Sequence, residues 1–98
     1  MAHDATLAAA TTVSVVLAPA LIRLFPDCNG RLDLAASNVS DMLDELDARW
    51  PGMRDRLRDS TPRIRRHISV FVDGHRSTLD TPLQPGTKVY ILTMVSGG

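Results

Sequence analysis

Residues 88–98 read KVYILTMVSGG, and this stretch decides the fold. Its side chains alternate between two faces, which is typical of a β-strand whose faces meet different surroundings. One face takes Val89, Ile91, Thr93 and Val95, and the other takes Tyr90, Leu92 and Met94. The sequence therefore predicts a final strand over residues 88–95 that leads almost directly into a diglycine tail, residues 97–98.

A second alternating stretch precedes this strand at residues 67–74, HISVFVDG. Ile68, Val70 and Val72 share one face, whereas Ser69 and Phe71 share the other. The Asp-Gly pair that closes the stretch is a strong signal for a tight turn. We expect this strand to lie in the same sheet as the last one.

The clearest helix occupies residues 38–52. Asn38 is a typical N-cap, and Asp41 follows three residues later in a weaker form of the capping box. The helix ends at Pro51-Gly52. One apolar stripe runs along it, formed by residues spaced three and four apart: Val39, Met42, Leu43, Leu46 and Trp50.

The N-terminal part predicts a hairpin. Residues 13–17 are apolar and β-branched, and a shorter alternating stretch follows the loop of residues 18–30. Residues 1–12 are small, polar or alanine-rich, and we interpret them as a disordered extension. The order β, β, α, basic connector, β, β predicts an α+β domain over residues 13–96, with one main helix on one face of a small mixed sheet.

One helix can cover only one face of such a sheet. The β-branched residues fit beneath the helix, which leaves an apolar set on the far face, formed by Phe71, Tyr90, Leu92 and Met94. This surface is larger than a small solitary domain usually exposes, so we interpret it as a partner-binding patch. The alternative is that the loop of residues 18–30, with Leu21, Leu24 and Phe25, covers part of it as a minor second core.

Positive charge concentrates between residues 49 and 66, where seven arginines face only two aspartates. Because the whole chain has a formal net charge of zero, the rest of it carries the matching negative surplus. Arg63, Arg65 and Arg66 are candidates for electrostatic docking of an acidic partner. The alternative is a solvated connector whose charges contribute little.

Composition restricts the class of protein. A chain of 98 residues that is 44% hydrophobic can form one compact domain, but it is too short for most cofactor-binding enzyme folds. The single cysteine, Cys28, excludes a disulfide framework and a multi-thiolate metal site, and the three histidines lack ligand spacing, so no metal is expected.

The sequence shows neither a secretory signal nor an apolar run of membrane-spanning length, so we expect a cytoplasmic protein with no membrane partner. The arginine-rich connector has no interleaved aromatic residues, which argues against nucleic acid as a partner.

Taken together, these features resemble the ubiquitin-like β-grasp sulfur carriers of the MoaD/ThiS family. The resemblance covers residues 13–98. It rests on the strand order and on the helix, which starts at Asn38-Val39 and ends at Trp50-Pro51-Gly52. It also rests on HISVFVDG, on the residues that lead into the last strand (Leu83, Gly86 and Lys88-Val89) and on the terminal diglycine. Pro19, Leu21, Arg23 and the basic connector look most like the cysteine-synthesis (CysO-like) branch. Met94 departs from the proline that is frequent at this position in these families.

The resemblance implies a carrier protein and not an enzyme. A ThiF/MoeB-like adenylating enzyme would use ATP to activate the carboxylate of Gly98, and sulfur transfer would convert it to a thiocarboxylate. Gly97 would let the tail enter a narrow active site. A sulfur-accepting synthase would consume the sulfur, and a JAMM-type peptidase or a sulfurtransferase is a further candidate partner. No cofactor would be bound by the chain itself.

Two alternatives stay open at this stage. The diglycine tail also suits a ubiquitin-like modifier that forms isopeptide bonds with lysines of other proteins. The small subunit of molybdopterin synthase uses the same tail chemistry. All three begin with adenylation, so the tail by itself does not separate them.

Overall fold

The computed structural model describes residues 11–94. The strands are β1 (Thr12–Leu17), β2 (Arg31–Ala35), β3 (Ile68–Val72), β4 (His75–Arg76) and β5 (Lys88–Thr93). The helices are α1 (Pro19–Leu24), α2 (Val39–Arg49) and α3 (Met53–Leu57). Most of the predicted extension, the end of the predicted last strand and the diglycine tail lie outside the described residues.

The five strands form one mixed sheet in the order β2-β1-β5-β3-β4. The central pair, β1 and β5, is parallel, and the other neighbours are antiparallel. The predicted hairpin of the first two strands is confirmed. The turn at Asp73-Gly74 is also confirmed, with φ of 50° and 84° at its two residues, and it joins β3 to the two-residue strand β4.

The core lies between the sheet and α2. Val15, Val70, Val89 and Ile91 are fully buried on the inner sheet face, as the alternation predicts. From α2, the buried side chains are Val39, Met42, Leu43 and Leu46. The Oδ1 of Asn38 accepts a hydrogen bond of 2.8 Å from the backbone N–H of Asp41, so the predicted N-cap is confirmed and fixes where the helix begins.

The first part of the basic connector is a helix, which the sequence analysis missed. Met53 and Leu57 are fully buried, so α3 adds one further turn to the core beside α2. Asp47 fixes the corner between the two helices, because its Oδ1 accepts hydrogen bonds from the backbone N–H groups of Gly52, at 3.0 Å, and Arg54, at 3.1 Å.

The loop after β1 is not irregular throughout, since it contains α1. Leu21 of this helix is buried in the main core, whereas Leu24 is 51% exposed. Cys28, which follows this helix, is buried in the same core. The loop therefore packs against the main core and does not form a second core over the outer face. No helix within residues 11–94 is long and apolar enough to span a membrane.

Candidate functional site

The outer sheet face carries the predicted apolar patch. Tyr90 is 38% exposed, Leu92 39% and Met94 50%, and Phe71 is partly exposed. Their neighbours along the strands point into the core, so the division of the two faces is as expected. We call Phe71, Tyr90, Leu92 and Met94 the outer patch. Because three of its four side chains keep more than a third of their surface in water, a partner could bury them with a hydrophobic gain.

The pairing of the strands sets the surroundings of this patch. Tyr90 lies opposite Phe71 on one side and opposite Val16 on the other. Val16 in turn pairs with Arg31, and Phe71 pairs with Arg76. Directly paired residues point to the same side of a sheet. A row across all five strands thus has three apolar side chains in its middle and an exposed arginine at each end.

The last described residue, Met94, lies at one end of the outer patch. The backbone N–H of Met94 donates a 2.7 Å hydrogen bond to the carbonyl oxygen of His67. The hydroxyl of Ser69 donates to the sulfur of Met94 at 3.0 Å. These contacts fix the chain against the start of β3 up to the last described residue. Gly97 and Gly98 lie outside the described residues.

Two of the three predicted docking arginines come together. Arg65 and Arg66 line a groove of about 200 Å³ beside β3, and Arg76 joins them there. Arg63 does not, because it borders a different hollow next to Asp80. The arginines that share this groove are therefore Arg65, Arg66 and Arg76.

The connector that carries these arginines is hydrogen-bonded at both ends. The N–H of Arg65 donates to the carbonyl oxygen of Leu57 at 2.9 Å, and its Nε donates to the carbonyl oxygen of Asp55 at 2.7 Å. The side-chain and backbone donors of Thr61 lower the pKa of the Asp59 carboxyl, and the N–H of Arg63 adds to this effect. An ionised Asp59 thus holds the turn before Arg65 and Arg66.

Sequence reasoning missed Arg31, Arg76 and Val16 as members of this surface. Val16 and Arg31 were visible as alternating strand residues, whereas Arg76 lies outside every predicted strand. The neighbours of all three depend on which strands pair and in what register. Arg76 follows the Asp73-Gly74 turn by two residues, so a hairpin drawn from that turn would have placed it opposite Phe71.

The described residues form neither a metal site nor an accessible thiol. Within residues 11–94, no group of three or more His, Cys, Asp or Glu residues is arranged to hold a metal ion. The thiol of Cys28 is buried in the core, away from solvent. What this part of the chain offers is a shaped outer surface beside the root of the tail.

Comparison with known proteins identifies the family. The ThiS family model matches residues 27–98, which is most of the chain and includes the diglycine. The chain belongs to the ThiS family. No curated protein sequence matches it.

Solved structures show the same fold. The chain is similar to the Amycolatopsis orientalis BexX/CysO complex structure, with a TM-score of 0.76 at 23% identity over 88% of this chain and 99% of that one. It is similar to Mycobacterium tuberculosis CysO, with a TM-score of 0.74 at 21% identity over 85% and 99%. It is also similar to Haloferax volcanii small archaeal modifier protein 1, with a TM-score of 0.73 at 18% identity. That match covers 87% of this chain and 99% of the other. This member of the ThiS family is a β-grasp, ubiquitin-like protein.

Proposed function

We propose that this chain is a cytoplasmic sulfur carrier that bears sulfur as a thiocarboxylate on Gly98. The observation that carries the proposal is the ThiS family match through residue 98, on a chain that ends in diglycine. The last described residue, Met94, belongs to an exposed apolar patch, so a partner that binds this patch would also meet the residues that follow it.

The chemistry follows from the poor reactivity of a carboxylate. Its negative charge and resonance make the carbon a weak electrophile, so it must first be activated. Attack of the Gly98 carboxylate on the α-phosphorus of ATP forms an acyl adenylate and releases pyrophosphate. A sulfide or persulfide sulfur from a donor then attacks the acyl carbon, and AMP leaves. With a persulfide donor, a thiol or other reductant must cleave the remaining S–S bond to free the terminal thiocarboxylate.

The partner enzymes would perform the catalysis. A ThiF/MoeB-like adenylating enzyme would bind ATP and align the tail, since positioning and charge stabilisation supply most of the rate. Gly97 has no side chain, so it lets the tail pass through a narrow channel. The outer patch, Phe71, Tyr90, Leu92 and Met94, would form the contact that holds the domain during the reaction.

The thiocarboxylate would then donate its sulfur to an electrophile bound by a synthase. We assign the chain to the cysteine-synthesis branch, in which a JAMM-type peptidase would release the product from the carrier. The likeness to two CysO structures supports this branch, although at 21–23% identity it bears directly on the fold alone. A sulfurtransferase is the other candidate partner, and it would supply the sulfur to the adenylated carrier.

A second candidate is a protein modifier joined through Gly98 to lysine side chains. The likeness to small archaeal modifier protein 1 favours it. Both candidates need adenylation, and they differ in what attacks the adenylate, a sulfur nucleophile or an amine.

Removal of Gly97 and Gly98 tests the activation step. With the adenylating enzyme and ATP, we expect the shortened chain to support no pyrophosphate exchange, because its new terminus no longer reaches the nucleotide. A variant that lacks Met1 and Ala2 instead is the matched control and should behave as the parent. Thermal unfolding should be the same for all three. If the shortened chain were adenylated at the parent's rate, the role of Gly98 would be wrong.

A further inference from the structure

The groove beside the outer patch has an unusual lining. Arg65, Arg66 and Arg76 border it together with Ser69 and Ser77, and its remaining lining is aliphatic. The groove follows the first half of β3, which β4 leaves uncovered because β4 pairs only with Phe71 and Val72.

The positive charge of this groove is only partly balanced within the described part of the chain, through Arg65 and Asp59. Its lining contains no carboxylate. The ion pairs between residues 11 and 94 lie elsewhere and join Arg54 to Asp44 and Asp47. Arg65 also lies near Asp59, whose carboxyl pKa its charge helps to lower, so the charge left for a ligand comes chiefly from Arg66 and Arg76. A carboxylate bound beside these two guanidinium groups would relieve their repulsion.

The arginines are also held by an ordered backbone. The hydrogen bond from Arg65 Nε to the carbonyl of Asp55 fixes the side chain and leaves its terminal N–H groups for other acceptors. The N–H of Ile68 donates to the carbonyl of Arg65 at 2.9 Å, which closes the turn around Arg66. On the other side, the N–H of Ser77 donates to the carbonyl of Val70 at 2.8 Å and fixes the residue after Arg76. Such preorganisation lowers the entropy lost on binding.

The position of the groove connects it with both functional features. Arg76 belongs to the groove and also pairs with Phe71 of the outer patch. Ser69 belongs to the groove and also contacts Met94 at the root of the tail. A protein that covers the outer patch while it takes up the tail would therefore reach this groove.

We propose that the groove binds the carboxylate side chains of an acidic segment on the protein partner that receives the tail. Guanidinium groups match carboxylates in two-pronged hydrogen bonds. A volume of about 200 Å³ suits one or two side chains better than the backbone of a nucleic acid. The zero net charge of the chain also provides little long-range attraction for a polyanion. The proposal rests on the carrier function, since it assumes a partner that takes the tail.

The test measures binding at the groove without the enzyme. A hexaglutamate peptide is titrated into the ¹⁵N-labelled full chain, and the amide signals of Ser69 and Ser77 and the Arg Nε–H signals are followed. The double variant Arg66→Gln/Arg76→Gln removes two groove charges. The matched control, Arg23→Gln/Lys88→Gln, removes two exposed charges from α1 and from the start of β5. Inorganic phosphate and a single-stranded RNA hexamer are titrated separately.

We expect saturable shifts centred on the groove, an affinity at least about fivefold weaker in the double variant, and less than about twofold change in the control. Shifts spread evenly over the arginines, or equal losses in both variants, would overturn the proposal. Equal binding of phosphate or tighter binding of RNA would overturn it as well, in favour of an anion or nucleic-acid site.

Pyrophosphate exchange with the adenylating enzyme separates this proposal from the carrier function. If the parent binds no peptide although its Gly98 is activated, the groove proposal is wrong and the carrier function stands. If the parent binds the peptide but its Gly98 is not activated, the carrier function is wrong and the groove is a site for acidic peptides.

Discussion

Single residues decide the turns that bring the strands together. Gly30 and Gly86 have φ of 82° and 80°, a conformation that residues with a side chain rarely adopt. Gly30 leads into β2, and its carbonyl accepts a 2.7 Å hydrogen bond from the N–H of Leu17. The surroundings of the two glycines differ: a Cβ on Gly30 would lie 2.5 Å from Cδ1 of Ile22, whereas a Cβ on Gly86 would meet nothing within 4 Å.

Substitution by alanine separates backbone strain from crowding at these positions. We expect Gly86→Ala to lower the free energy of unfolding by about 1–2 kcal/mol, the strain of a left-handed alanine. Gly30→Ala should lower the free energy of unfolding by the same amount and by up to about 1 kcal/mol more. The additional loss is small because the end of the flexible Ile22 side chain can rotate away. Urea unfolding measures both. An excess of about 3 kcal/mol at Gly30 would show that Ile22 is fixed and that the crowding dominates.

At the scale of the element, β5 separates the core from the outer patch within two adjacent residues. Ile91 is fully buried, and Leu92 is 39% exposed on the opposite face. An acidic side chain should therefore have opposite consequences at these positions. In the core it would place an unpaired charge among aliphatic groups, whereas on the outer patch it would remain in water.

Leu92→Asp should fold and bind the adenylating enzyme at least about tenfold more weakly, a loss of about 1.4 kcal/mol. Ile91→Asp should fail to fold. Leu24→Asp, at an apolar residue of α1 that is 51% exposed, is the matched control and should bind within about twofold of the parent. Circular dichroism and titration calorimetry measure these effects. If Leu92→Asp unfolded the protein, or if it bound as tightly as the control, the outer patch would not be the docking face.

The elements differ in how well the sequence predicts them. The alternation in β3 and β5 and the cap of α2 at Asn38 are local signals, and each matched the structure. By contrast, α1 and α3 have six and five residues, too few to show a helical period. In α3, Met53 and Leu57 stand four apart within an arginine-rich stretch, so charge concealed the only apolar pair that could have indicated burial.

The arginines around the outer patch could not be assembled from sequence. Arg31 and Arg76 lie at opposite edges of the sheet, and only the parallel pairing of β1 with β5 brings them into one row. That pairing joins segments about seventy residues apart, for which a sequence pattern carries no register. The composition of the patch was therefore predictable, and its charged rim was not.

At the scale of the whole molecule, the outer patch and the groove adjoin each other. The outer patch, the groove of Arg65, Arg66 and Arg76, and the root of the tail share contacts through Ser69, Met94 and Phe71. Under the proposed carrier function, this surface would meet each partner in turn and be released after each reaction. Electrostatic contacts at the rim favour rapid association without a slow release.

The mass of the intact chain tests the central claim most directly. The parent is incubated with the adenylating enzyme, ATP and a sulfide donor, and its mass is compared with that of the chain lacking Gly97 and Gly98 under the same conditions. Carrier function predicts that the parent gains the mass difference between sulfur and oxygen, located at Gly98, and that the shortened chain gains nothing. Lysine-linked conjugates without any thiocarboxylate would contradict it and identify the chain as a protein modifier.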